Sequence, residues 1–188
     1  MTLRKPVAQP GRRRSRQLEE MIRVDHAGEY GAVRIYEGQL AIFGRLPQTQ
    51  KIAATLRRQR GEEQAHLERF NTLVNDRKVR PTALAPVWHV AGFALGAATA
   101  LMGEKAAHAC TAAIEDVISD HYGAQLAALG GQNEEKELRE TIEEFRRDEI
   151  RHREEAISGG AHEVPAAPLL SAAIRTACRI AIKISEKV

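Results

Sequence analysis

The chain has 188 residues, of which 43 % are hydrophobic, 28 % charged and only 4 % aromatic, with a formal net charge of +3. That length suits one domain with a sizeable core, and the shortage of aromatic and β-branched runs excludes an all-β domain in favour of Ala/Leu/Glu/Arg helices. Two cysteines, Cys110 and Cys178, make neither a disulfide framework nor a CxxC pair; this excludes a zinc ribbon and a thioredoxin-like centre and points to a reducing compartment. The small net charge gives no ground for nucleic acid as a partner.

Residues 1–18 hold Arg4, Lys5, Arg12, Arg13, Arg14 and Arg16 and no acid, interspersed with Pro6, Pro10 and Gly11. This reads as a disordered basic arm, either a solvated tail or an electrostatic tether to anionic lipid. It lacks the apolar run of a secretory signal and is too short and Pro-rich for an amphipathic transit peptide. Residues 19–188 read as a single all-α domain.

Helical periodicity predicts a first helix from Gln17 to Phe43, stopped by Gly44 and Pro47, and a second from Gln48 to Asp76. A third region runs from Pro86 to Leu129 with a break at Gly103, and ends at Gly130-Gly131. Between Arg80 and Glu104, overlapping the start of this region, lie 23 residues without an Asp, Glu, Lys or Arg. This segment, residues 81–103, has three readings: a buried core helix, a surface dipping into one membrane leaflet, or a span, which needs about 20 apolar residues. Pro81, Pro86, the Ala/Gly content and His89 weigh against the span. A fourth helix is expected after an Asn133 N-cap, with Glu134, Glu135 and Glu137 in its first turn, ending at Gly159-Gly160. An amphipathic last helix covers Leu169 to Glu186, with Leu170, Ile174, Ala177 and Ile180/Ala181 on one face and Arg175, Arg179 and Lys183 on another.

The chain repeats itself at an offset of 86: Glu29 maps onto Glu115, Tyr36 onto Tyr122, Gln39 onto Gln125, Leu40 onto Leu126, Glu63 onto Glu149 and His66 onto His152. Glu63-Gln-Ala-His66 and Glu149-Ile-Arg-His152 are its only Glu-x-x-His sequences, and each lies 34 residues after a glutamate of the repeat. One such motif alone reads as a solvated helix face; the pairing changes that. If Glu29 faces Glu63, and Glu115 faces Glu149, in antiparallel hairpins, the turns fall near residues 46 and 132. The sequences there, Gly44-Arg-Leu-Pro47 and Gly130-Gly-Gln-Asn133, are turn chemistry.

An i, i+3 spacing puts Glu and His on one helix face. Four helices then deliver four carboxylates and two imidazoles to one point, the ligand set of carboxylate-bridged di-iron or di-manganese bundles. Four buried carboxylates without cations would be prohibitively costly. Asp148, just before the second motif, is placed to orient a ligating imidazole across the bundle, that of His66.

Arg23-Val-Asp-His-Ala-Gly-Glu-Tyr-Gly-Ala32, Glu63-Gln-Ala-His66, Val79-Arg-Pro-Thr82, Gly92-Phe-Ala-Leu-Gly96 and Cys110-Thr-Ala-Ala-Ile-Glu115 resemble the demethoxyubiquinone hydroxylases of ubiquinone biosynthesis, over Met21 to Val188. The resemblance implies a ferritin-like four-helix bundle built from two helical hairpins, with an apolar crossover and a C-terminal amphipathic helix. It implies two ferrous ions held by Glu29, Glu63, His66, Glu115, Glu149 and His152, and dioxygen as co-substrate. His121 and Tyr122 would deliver protons or electrons near the metal centre, though plain core packing explains them equally well. The substrate implied is a 2-polyprenyl-3-methyl-6-methoxy-1,4-benzoquinol, whose ring is hydroxylated while the second oxygen atom leaves as water. No G-x-G-x-x-G follows a strand, so electrons come from the quinol or an external donor. Because the prenyl tail resides in the bilayer, the expected partners are a membrane lipid surface and other ubiquinone-biosynthesis proteins. The expected location is the cytoplasmic face of a bacterial membrane, or alternatively the matrix face of the mitochondrial inner membrane. Rival readings with the same metal set are an iron-storage protein, a peroxidase or a tRNA hydroxylase.

Overall fold

A computed structural model describes residues 10–130, 135–165 and 167–188. Within them the regular structure is helical: α1 (Pro10–Phe43), α2 (Gln50–Asp76), α3 (Ala85–Leu101), α4 (Glu104–Leu129), α5 (Lys136–Ser158) and α6 (Ala167–Ser185), with single 3-10 turns at Pro47–Thr49 and Ala161–Glu163. Helices α1, α2, α4 and α5 form a ferritin-like four-helix bundle. The cross-bundle pairs Gln125–Asp25, Tyr122–Glu29 and Tyr36–Glu115 show that α1 and α4 run antiparallel. Helices α2 and α5 do likewise, through His66–Asp148 and His152–Glu62.

The first hairpin turn stands where the ligand spacing put it, and the second, near residue 132, lies outside the described residues between the end of α4 and the start of α5. Gly44 caps α1 by donating its N–H to the Leu40 carbonyl, and Thr49 Oγ1 donates to Phe43 O at 2.6 Å. The second turn opens with Gly130 at φ +60°, a left-handed conformation that a side chain resists. The Asn133 cap lies outside the described residues, and α5 starts at Lys136, behind Glu135.

Three expectations change, the last of them at Ile180 in α6. The irregular arm does not extend to residue 18: α1 begins at Pro10, which suits a first helical turn because its ring presets φ and its missing N–H has no helical partner there. Residues 1–9 of that arm lie outside the described residues. The apolar segment is neither a span nor a core helix. No described helix is long and apolar enough to cross a membrane. In α3 only Gly92, Gly96, Thr99 and Ala100 are buried, while Val87, Val90, Leu101 and the following Met102 stand in the open. The break at Gly103 is real, with φ at +109° between α3 and α4.

Helix α3 lies against α1 through glycine. A Cβ on Gly96 would overlap the Ile35 carbonyl, and one on Gly38 the Phe93 carbonyl, so the two backbones touch directly. Helix α6 packs on α4, with Ile174 buried beside Cys110 and Ile114 and Arg175 Nε donating to Asp116 Oδ2 at 2.9 Å. Ile180 departs from its expected apolar face and points outward, 53 % exposed, while Ala177 and Ala181 line a cavity.

Two apolar layers fill the bundle. One gathers Ile22, Phe70, Leu73, Tyr122, Leu138, Ile142 and Phe145; the other gathers Tyr36, Phe43, Ile52, Ala53, Leu56, Ala100 and Ala107. The polar residues of the repeat occupy the level between them, capped by apolar side chains at both ends.

Candidate metal centre

The six repeat residues converge at that level. Glu63, Glu149 and His152 are wholly buried, and Glu115, Glu29 and His66 nearly so. Two groups of donor atoms lie within 4.8 Å of one another: Glu29, Glu63, His66 and Glu149, and Glu63, Glu115, Glu149 and His152. Glu63 and Glu149 belong to both groups and therefore sit between two positions, with Glu29/His66 flanking one and Glu115/His152 the other. His66 Nδ1 is 3.5 Å from Glu29 Oε2 and 3.3 Å from Glu149 Oε1, and His152 Nδ1 is 2.9 Å from Glu63 Oε1.

The unpartnered atoms are the sharpest feature. Buried polar atoms normally have hydrogen-bond partners, yet both oxygens of Glu63 and Glu149, Oε2 of Glu29 and Glu115, and Nδ1 of His66 and His152 have none. Each remaining atom of the flanking residues is occupied. Tyr36 Oη donates to Glu115 Oε1 at 3.0 Å, and Tyr122 Oη donates to Glu29 Oε1. His66 Nε2 meets Asp148 Oδ2 at 3.2 Å and His152 Nε2 meets Glu62 Oε2 at 2.6 Å. With a carboxylate holding the Nε2 proton, each Nδ1 would turn its lone pair inward once an ion displaced the second proton. Hard oxygens with imidazole suit iron, manganese or zinc, and four glutamates neutralise two divalent cations. The donor set fits a pair of ions.

Without cations the cluster is electrostatically divided. Burial, with Glu149 and Glu63 nearby, lifts the Glu29 and Glu115 carboxyls well above the usual range, against relief from His66 and His152. Burial opposes a charge on His152, but Glu149 and Glu63 outweigh it and raise the imidazole to about 11; His66 is raised in the same way. Burial likewise opposes ionisation of Glu63, and the two imidazoliums overcome it, taking the carboxyl down to about 2. Burial and the adjacent carboxylates push both tyrosines upward, so they remain donors.

Asp148 reaches His66, as its position before the motif predicted. Its repeat mate Glu62 does the same for His152; sequence reasoning passed over Glu62, although the offset of 86 marks it. Tyr122 touches the cluster, whereas His121, one residue around the helix, does not. His121 Nε2 lies 3.5 Å from Asp25 Oδ1, which also accepts from Gln125 Nε2 at 2.8 Å. Asp25 is itself buried, and burial raises its carboxyl despite His121 and Gln125. Its place one turn before Glu29 was the only sequence signal for it.

Beside the centre lies an apolar cavity of about 180 Å³ between α1, α3, α4 and α6. It is walled by Gly28, Gly31 and Ile35, by Trp88 and Leu95, by Ile114, and by Ile174 and Ala181. Gly28 and Ile114 directly precede Glu29 and Glu115. Trp88 Nε1 donates to Ser185 Oγ at 3.1 Å at its α3–α6 side.

The family model described as "Ubiquinone biosynthesis protein COQ7" matches residues 16–185. The chain belongs to the demethoxyubiquinone hydroxylase family. It is 51 % identical over 171 residues to a 3-demethoxyubiquinol 3-hydroxylase of Rhodospirillum rubrum, covering 91 % of this chain and 78 % of the relative. It is 44 % identical over 172 residues to the NADPH-dependent 3-demethoxyubiquinone 3-hydroxylase, mitochondrial, of Mus musculus, covering 90 % and 77 %. It is also 38 % identical over 185 residues to the 5-demethoxyubiquinone hydroxylase, mitochondrial, of Saccharomyces cerevisiae, covering 91 % and 78 %. The chain is thus an enzyme, a hydroxylase of ubiquinone biosynthesis, and the storage, peroxidase and tRNA readings fall away.

Proposed function

We propose that this hydroxylase acts on the ring of a 2-polyprenyl-3-methyl-6-methoxy-1,4-benzoquinol, with dioxygen and two ferrous ions. The carrying observation is the ring of unpartnered donor atoms in a buried layer, next to an apolar cavity. Glu29 and His66 would hold one ion, Glu115 and His152 the other, and Glu63 and Glu149 would bridge them. Bound there, the pair supplies activation of dioxygen, one atom of which enters the ring while the other leaves as water after uptake of two electrons and two protons.

The protein's part is positioning. Asp148 and Glu62 aim the imidazoles, and Tyr122 keeps its proton on Glu29. In this reading Tyr122, with His121 and Asp25 behind it, is the route by which protons or electrons reach the centre. The cavity holds the ring with its apolar walls, and the prenyl tail leaves between α3 and α6. Val87, Val90 and Leu101 of α3, Met102 just after it, and Leu169, Ile180 and Ile184 of α6 are exposed apolar side chains on the two helices that wall it. We take residues 81–103 and α6 as the face that lies on the membrane, with the basic arm reaching anionic lipid. The face we take is the cytoplasmic one of a bacterial membrane, or alternatively the matrix one of the mitochondrial inner membrane. Electrons come from a donor outside the chain; the murine relative's name points to NADPH as their origin.

The test is complementation of cells that accumulate demethoxyubiquinone. Restored ubiquinone supports the reading, and folded, iron-loaded protein without restoration sinks it. The cavity has its own test. Gly28 has no heavy atom within 4 Å of where a Cβ would stand, so Gly28→Leu should fill the cavity without disturbing the backbone. Activity on prenylated quinol should fall about tenfold or more through KM, since a pocket rejects by roughly 1–3 kcal/mol per group, while the metal content stays at two. Unchanged kinetics would remove the quinol from this cavity.

Metal uptake should also release protons. His66 and His152 have pKa values raised far above neutrality in the metal-free chain, so they hold protons that ligation displaces, and the upward shifts of Glu29 and Glu115 act in the same direction. Affinity therefore rises with pH. Calorimetry in buffers of different ionisation enthalpy should give net proton release per ion; zero release would contradict the charge pattern.

A further inference from the structure

The carboxylates behind the two imidazoles are not equivalent, although the repeat relates them. Glu62 accepts from Arg58 Nη1 through both oxygens at 3.0 Å and from Arg151 Nη1 at 3.3 Å. Asp148 accepts from Arg151 Nη2 at 2.6 Å, and no other guanidinium reaches it among the described residues. The offset of 86 explains the asymmetry: Arg151 corresponds to Ala65 and Arg58 to Glu144, so neither arginine has a counterpart in the other half. One guanidinium thus spans both halves of the centre, using separate Nη atoms for the two carboxylates. Asp148 in turn touches His66 through its other oxygen, at 3.2 Å, against 2.6 Å for Glu62 and His152.

We propose that Arg151 is a positioning residue shared by the two metal positions, fixing Asp148 and Glu62 so that they aim His66 and His152, and that its loss falls on the His66 side. That side has nothing else to hold its carboxylate, whereas Glu62 keeps Arg58. A freed Asp148 can rotate into solvent, leaving His66 Nε2–H without its acceptor and the ring free to turn. Phe145, stacked on His66 at 3.8 Å, constrains the ring plane but not its tautomer. The consequence is two ion positions of unequal affinity, with Arg151 setting the weaker one. The proposal rests on the two-ion reading above.

The experiment is cobalt(II) titration of the metal-stripped full chain, followed by competition with a chelator to extract two binding constants. Wild type takes up two ions. Arg151→Leu weakens one of them about 10- to 100-fold, the usual range for groups that orient a ligand, and leaves the other near wild type. Asp148→Asn gives the same pattern. Arg151→Leu adds nothing further in the Asp148→Asn background but keeps its effect in the Glu62→Gln background, a coupling that a merely structural role would not produce. The thermal midpoint moves little, since exposed ion pairs contribute little to stability; if Arg151→Leu lost helicity, Arg151→Gln would answer in its place. Titrations that superimpose on wild type, or effects that add with Asp148→Asn, overturn the proposal. A wild-type chain that binds no cobalt overturns the two-ion reading itself, which is a separate result.

Discussion

Glu63→Gln is expected to abolish both metal binding and hydroxylation, while Glu115→Gln is expected to abolish hydroxylation but keep the ion on the Glu29/His66 side. Glu63 carries two unpartnered oxygens and belongs to both donor groups, whereas Glu115 offers one and belongs to a single group. Losing several kcal/mol of transition-state stabilisation corresponds to a rate loss on the order of a thousandfold or more. The two substitutions should also shift the stability of metal-free protein in opposite directions. Glu63 has a folded pKa of about 2, below its ordinary value, so its charged form stabilises the fold above pH 4.5, and that contribution is lost as pH falls toward 2. Glutamine cannot pair with two imidazoliums, so Glu63→Gln should lower the melting temperature at pH 7. Glu115 has a raised pKa, so ionising it costs stability. Glutamine keeps the acceptor for Tyr36 without the charge, and Glu115→Gln should melt at or above wild type. Chelator-treated protein in thermal scans decides this, and shifts of the same sign would show that the charge division is wrong. Equal loss of both ions in the two variants would remove the distinction between bridging and flanking glutamates.

Gly96→Ala should cost about 3 kcal/mol, at the upper end for overpacking, because the added carbon meets a helix backbone carbonyl that cannot rotate aside. In a domain of this size that lowers the melting temperature by roughly 6–12 °C. The damage should reach the site, since α3 walls the cavity and can only move off α1. Gly28→Ala is the control. It too lies mid-helix, but open space surrounds its Cβ position, so relief of glycine's backbone entropy should raise stability by about 0.5–1 kcal/mol. If both glycines behaved alike, helix propensity rather than the α1–α3 contact would govern this seam.

The six clustered residues were legible because the repeat encodes them twice, with a spacing that a hairpin turns into a common depth. The outer partners were half legible. Asp148 stood next to a motif and was found, while Glu62 sat at the same repeat position and was overlooked because Glu62-Glu63 reads as an ordinary charged helix. Asp25 was hidden for a related reason: one turn from Glu29 it could equally face water, and only the approach of Gln125 and His121 from α4 shows that it is buried. His121 and Tyr122 are adjacent in sequence, yet the 100° step of a helix sends one to Glu29 and the other to Asp25.

By itself, then, the sequence determined the local and periodic features: the helices, the two turns, the duplicated Glu and Glu-x-x-His pattern, and so the charge that must meet at one level. These depend on spacing along one chain, which the helical repeat converts directly into geometry. Tertiary structure alone decided what crosses between elements. It placed Tyr36 and Tyr122 on the opposite half's glutamates, seated α3 on α1 through glycine, and left the outer faces of α3 and α6 apolar. It also brought one arginine to both outer carboxylates. Which side chains meet across a bundle depends on the rotation and depth of each helix against its neighbour, and packing sets these.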